Sequence, residues 1–268
     1  MIDLILIALL FSLHQIFVRK GVEHGDANYG ALVSLVTTSL VFSLLSVNRI
    51  FLSVKFAVLM VVAGILHFLV ARTAFYNAIS RIGANSAGSI SATRMFFAVM
   101  FGFVLGEEIG IKVILMAVLI FAGIYMISTP EGAGDLKGIV LALLTGITTA
   151  LSSAVVKAGM KINPDPVFGS AVGYVTSTVL FPFFFRYRKR GGEKFFIPAG
   201  ILVGAGHYLR YRALIDQPLS VVEPVLSTYP LFTLILTALA MGRIENLSRN
   251  IAIGCVLIVL GIQSYYLL

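Results

Sequence analysis

A chain of 268 residues that is 59% hydrophobic and 12% charged, with a mean hydropathy of +0.99, is too apolar for a soluble globular domain, whose charged fraction is about 25%. The composition indicates an all-α polytopic membrane protein. Its net charge of +8 sits in short loops rather than along one face, which fits membrane topology and anionic headgroups and excludes nucleic acid as a partner.

Crossing about 30 Å of hydrocarbon takes roughly 20 apolar residues, and ten such runs can be marked. The first spans residues 2–18 and is followed by Arg19 and Lys20. Asp3 stands where a signal peptide has its basic segment, and no small-residue cleavage site follows, so this run reads as a span. Residues 29–47, 56–79, 84–105 and 111–128 complete a first half, 1–129. A Gly-rich loop, 130–137, links it to a second half, 138–268, with runs at 138–156, 166–185, 196–214, 219–241 and 250–268. The single cysteine, Cys255, lies in the last run, which excludes an internal disulfide and reads as packing.

The halves repeat. Residues 30–37 pair with 169–176, 76–79 with 211–214, and 118–124 with 256–262. Five spans is an odd number, so the second half enters the membrane with opposite orientation. The expected architecture is therefore ten transmembrane helices as two inverted five-helix repeats, a plan suited to alternating access.

Lysines closing the first helix of each half (Lys20, Lys157), Leu105-Gly106-Glu107-Glu108 after the fourth span, Glu223-Pro224-Val225 opening the ninth, and Gly-Ile near the end of each half (Gly123-Ile124, Gly261-Ile262) together resemble the EamA branch of the drug/metabolite transporter superfamily. The resemblance covers the whole chain. It implies a small secondary transporter of the cell membrane, with a central cavity lined mainly by the first, third, fourth, sixth, eighth and ninth helices. In the second half Met241-Gly242-Arg243-Ile244-Glu245 replaces the family's Gly-Glu pair.

Polar residues inside the spans are the candidate site. Arg94 lies deep in the fourth run, where a guanidinium must face other helices, a partner charge or a water-filled cavity. It can hold a carboxylate or phosphate through its bidentate fork, or it can be an ion-pair partner of Glu223. Symmetry sets it opposite Pro230. Arg72 precedes Tyr76 by one turn, and the repeat sets His207 and Tyr211 opposite them, so both helices are expected to line the cavity; the alternative places Arg72 among headgroups and His207 in an ordinary interhelical bond. His67 joins this face, or packs. His14 and Gln15, late in the first span, bind substrate, relay a proton or simply hydrogen-bond. Tyr229 is a possible substrate contact.

Glu223, beside Pro224, reads first as an acid favouring a helix N-terminus, and alternatively as the coupling or ion-pairing group. Glu107 and Glu108 read as solvated, Arg210 and Arg212 as loop cations, and Lys20 and Lys157 as groups at the cavity mouth or among headgroups. No transition-metal site or cofactor is expected, because four His without Cys or Asp at ligand spacing do not make one. Nor is there a Walker loop, a nucleophile elbow or a His-Glu-x-x-His helix.

The first functional expectation is secondary transport of a small organic metabolite, an amino acid or another carboxylate-bearing solute, proton-coupled or not, by a monomer or homodimer in the lipid bilayer. A lipid-carrier flippase of the same fold would use Lys20 and Lys157. A membrane enzyme or receptor would need a reactive cluster or a signalling domain. Counting Lys and Arg in the loops, dominated by the basic stretch 186–194, puts the termini outside, whereas the resemblance puts them in the cytoplasm.

Overall fold

The computed structural model describes residues 2–49, 53–127, 135–240 and 249–266. The end of the fifth run, most of the linker and the 241–248 stretch, with its departure from the family pattern, lie outside the described residues. The described residues form helices and no strands: α1 (Ile2–Val22), α2 (Ala27–Ser46), α3 (Val54–Gly64), a π-helical stretch (Ile65–Ala71), α4 (Arg72–Ser91), α5 (Arg94–Val104), α6 (Ile111–Ile127), α7 (Leu136–Met160), α8 (Pro166–Phe184), α9 (Glu193–Asp216), α10 (Leu219–Leu226), α11 (Tyr229–Ala240) and α12 (Arg249–Tyr266). Six stretches are long and apolar enough to cross a membrane, and α6 and the greater part of α12 are shorter apolar helices.

Short polar residues start the helices as the backbone requires, because the first turn has N–H groups without intrahelical acceptors. Asp26 caps α2, Ser53 caps α3, Asp135 caps α7, and Asp165 caps α8 with Pro166 in the first turn. Asp135 is held below the usual carboxylate range by the Gly138 N–H and by Arg81.

The third and fourth apolar runs form one nearly continuous helical stretch that reverses at Gly83, whose φ of 76° is open to glycine and strained for other residues. Contacts with α7 show the reversal. Gly138 sits against Arg81 and Ile82, while two turns later Gly146 meets Ser91 and Arg94 and Thr145 donates to the Ala71 carbonyl. The arms before and after Gly83 therefore lie side by side along α7.

Two helical stretches are broken near mid-length, at Ala92–Thr93 between α4 and α5 and at Ser227–Thr228 between α10 and α11. The spacing between the breaks equals that between Tyr76 and Tyr211. Backbone at membrane depth must still be satisfied, and hydroxyls do this. Tyr229 and Ser91 donate to the Gly88 carbonyl, Ser227 to that of Glu223, and Thr228 to that of Val225. The π-helical stretch is supported similarly, with Ser152 bonding the Ala63 carbonyl and Ser177 that of Gly64. Gly64 packs so closely on Gly173 that a Cβ there would come within 2.5 Å of its Cα. This close approach of α3 and α8 sets His67 and Arg72 against the middle of the bundle.

Candidate functional site

The helix breaks and the π-helical stretch converge on a cavity of about 60 Å³. Seven of the residues expected from the sequence line it: His14, Gln15, His67, Arg72, Arg94, His207 and Tyr229. Ser91, Thr145 and Thr149 add hydroxyls, and Phe11 and Phe75 add apolar wall. Arg94 and Tyr229 begin the segments after the two breaks, so with the breaks matched Arg94 falls opposite Tyr229, one residue from the expected Pro230. Its guanidinium carbon lies 5.1 Å from the Tyr229 ring centroid.

One side of the cavity is an ion cluster. Glu223 is fully buried, and its Oε1 accepts from Arg210 Nε at 2.7 Å and from Ser153 Oγ at 2.9 Å. Arg94 Nε lies 3.3 Å from Oε2 and donates to Ser227 Oγ at 3.2 Å. Arg210 also bonds Ser153, and its Nη1 is 3.3 Å from His67 Nδ1. Since a guanidinium only donates, His67 Nδ1 can take part in this contact only as an acceptor. The Arg94–Glu223 pair considered from the sequence is thus present, but Arg210 holds the carboxylate more closely.

The other side is organised around Arg72. Its Nη1 donates to Ser34 Oγ at 3.1 Å and its Nη2 to Tyr174 OH at 2.6 Å, and the guanidinium lies 4.9 Å from the Tyr174 ring centroid and 5.6 Å from that of Phe68. Among the described residues no carboxylate pairs with it. Arg72 is buried rather than among headgroups. Tyr76 stands beside it, its hydroxyl 3.1 Å from His14 Nε2. His207 packs edge-on against His67, ring centroids 4.5 Å apart. Tyr211 is buried behind the cavity wall, stacked towards Phe68. Three buried polar atoms of the cavity-lining residues have no hydrogen-bond partner: Gln15 Oε1, Arg94 Nη2 and His207 Nδ1.

Four expectations need correcting. Glu223 does not sit at a helix N-terminus: α10 begins at Leu219, and Glu223, a turn inside it, serves the arginines. The acid at that N-terminus is Glu107, whose carboxylate accepts from the Leu219 and Ser220 N–H groups at 2.6 and 2.9 Å. Glu107 is therefore engaged rather than simply solvated; its charge complements the helix end. Arg210, counted with the loops, is buried, while Arg212 is exposed. Finally, Lys20 is exposed whereas Lys157 is buried and donates to the Gln217 carbonyl at 2.7 Å, so the two lysines do not share an environment.

Arg210, Ser153 and Ser227 were not singled out in the sequence. Arg210 carried a usable signal, since His207, Arg210, Tyr211 and Leu214 fall on one helical face; Ser153 and Ser227 carried none. Among the described residues no group of three His, Cys, Asp or Glu could hold a metal ion.

Comparison with known proteins adds three findings. The sequence model of the EamA-like transporter family matches residues 1–129 and again 136–266. An uncharacterized transporter of Archaeoglobus fulgidus is 24% identical over 266 residues, covering 95% of this chain and 93% of its own. A crystal structure of a protein 18% identical covers 99% of this chain and 96% of its own with a TM-score of 0.76, a likeness of fold.

Proposed function

The chain belongs to the EamA-like transporter family and is a multi-pass protein of the cell membrane, and on that premise we propose that it is a secondary active transporter of a small carboxylate-bearing metabolite, such as an amino acid. One observation carries the substrate class. Among the described residues, three buried guanidiniums, Arg72 and Arg94 in the cavity wall and Arg210 behind it against His67, are offset by one buried carboxylate, Glu223. Charges in a membrane interior persist when paired or when they serve a ligand, and an anionic solute would neutralise the excess. Arg94 Nη2, free of protein partners and directed by the Tyr229 and Phe11 rings, and Arg72 are the residues that would hold its carboxylate. Gln15 Oε1 offers an acceptor for an ammonium or hydroxyl group of the same solute.

Transport in this reading proceeds by alternating access between two inverted five-helix halves of ten spans, 1–129 and 138–268. The double match of one family model to the two halves and the matched helix breaks support that duplication. A cavity of about 60 Å³ is well below the roughly 300–1,000 Å³ of sites that enclose larger ligands. The described conformation is therefore a contracted one, and loading would require the arms around the breaks to separate. Glu223 neutralises part of the arginine cluster in this scheme rather than carrying a coupling proton.

The test is thermal unfolding of the purified protein against small carboxylic acids and their methyl esters. A ligand of the folded state raises the midpoint by mass action. Acids that stabilise while their esters do not support the reading; equal stabilisation by both, or stabilisation by cations alone, would remove the carboxylate from it.

A further inference from the structure

On the outer surface of the bundle, away from the arginine cluster, α2, α8 and α9 enclose a second cleft of about 400 Å³. Its walls are apolar: Val41, Phe42 and Leu45 from α2, Val167 from α8, Ile201 from α9, and the Tyr208 ring. Val41, Leu45 and Ile201 are exposed on the surface a bilayer would cover. The cleft closes inward near Gly204, where a Cβ would come within 2.8 Å of Thr38 Cγ2, and opens at Arg49 beyond the end of α2.

Size and polarity select the occupant. From Thr38 to Arg49 the chain rises about 16 Å, close to half of the roughly 30 Å hydrocarbon thickness. A blind cleft of this length and volume suits one alkyl chain, whereas a helix about 10 Å across would need several times the space. The open end is cationic. Arg49 pairs with Asp165 at 2.7 Å and is about two-fifths exposed. Asp165 also accepts from the Val167 and Phe168 N–H groups as the α8 cap, so it stays bonded if Arg49 turns to another anion. Exposed Lys55 and Lys161 lie at this end of the bundle, where Phe56 stacks towards Phe168 and Gly159 meets Met60.

We propose that this cleft binds one acyl chain of an anionic phospholipid, with the headgroup phosphate on Arg49. The site is distinct from the central cavity and does not depend on the transported solute. Its inner wall nevertheless touches the arginine framework, because Phe42 stacks on Tyr174 with centroids 5.6 Å apart and the Tyr174 hydroxyl accepts from Arg72.

The chain contains no Trp, so a single introduced one reports on its surroundings alone. Leu45→Trp in the full-length protein, reconstituted in phosphatidylcholine vesicles containing phosphatidylglycerol, is quenched by lipid brominated in its acyl chains. Brominated phosphatidylglycerol should occupy the cleft with roughly fivefold preference over brominated phosphatidylcholine, the advantage one arginine gives near an anionic headgroup. Arg49→Gln should abolish that preference and Arg49→Lys retain it. High salt should weaken it without any substitution, which keeps the test open if Arg49→Gln fails to fold. Equal quenching by the two lipids would overturn the proposal. So would the same preference at Val256→Trp, on the exposed face of α12, since it would then belong to the whole lipid annulus.

Discussion

Arg210 and Arg72 are both buried in the middle of the bundle, and they are held in opposite ways. Arg210 has a carboxylate at 2.7 Å, shared with Arg94. Arg72 has two hydroxyls and two aromatic faces. An ion pair removed from water neutralises the charge within the protein, but breaking it leaves the partner stranded. A guanidinium solvated by hydroxyl dipoles and π-faces keeps its charge. The first arrangement is a fixed internal element; the second leaves a net positive centre that an anionic ligand can complete. On the proposed reading Arg72, more than Arg210, is the arginine that would meet a substrate.

The largest effect should come from Glu223→Gln, which strands Arg94 and Arg210 together. A loss of about 3–5 kcal/mol is expected, measured as a fall in thermal midpoint and in the yield of folded protein. A native midpoint would show that the two arginines do not rely on that carboxylate and would erase the contrast. Arg72→Gln should spare the fold and weaken ligand binding roughly ten- to a hundredfold, the span of a charge-assisted hydrogen bond. Titration of a stabilising carboxylate would measure this, and Arg72→Lys should recover only part because the planar fork is lost. If Arg72→Gln instead unfolded the protein while binding survived, Arg72 would be the structural member of the pair.

Smaller changes sharpen the same contrast. Tyr174→Phe removes one acceptor of Arg72 and leaves its ring, so a loss of about 1–3 kcal/mol in stability is expected, with binding tightened or unchanged because Arg72 is freer. Tyr76→Phe, which removes the bonds of its hydroxyl to His14 and Ser34, should change the midpoint least, by about 0.5–1.5 kcal/mol.

The apolar runs were legible because they follow from a local constraint. Crossing hydrocarbon demands length; the Asp and Ser caps just before the runs were not read, although they too are local. Arg94, Arg72, His14, Gln15, His207 and Tyr229 were legible because a polar group in a long apolar run must face inward. Pairing was not. Arg210 lies two residues from exposed Arg212, and opposite fates on one helix depend on phase relative to a core that the linear sequence does not display. Glu107 was read as solvated because its donors, the N–H groups of Leu219 and Ser220, lie more than a hundred residues away. The breaks at Ala92–Thr93 and Ser227–Thr228 contain no Gly or Pro, and they depend on hydroxyl partners from other turns and helices.

The Glu107 cap has a mechanical consequence. Its carboxylate, just past α5, clasps the leading edge of α10, and Ser220 lies against Gly102. Any motion that parts the first half of the chain from the second must either tear two charge-assisted bonds or carry α10 along with α5. The second course makes the moving body a composite, with one arm from each half. The seam along which the molecule opens would then cross the seam along which its sequence divides.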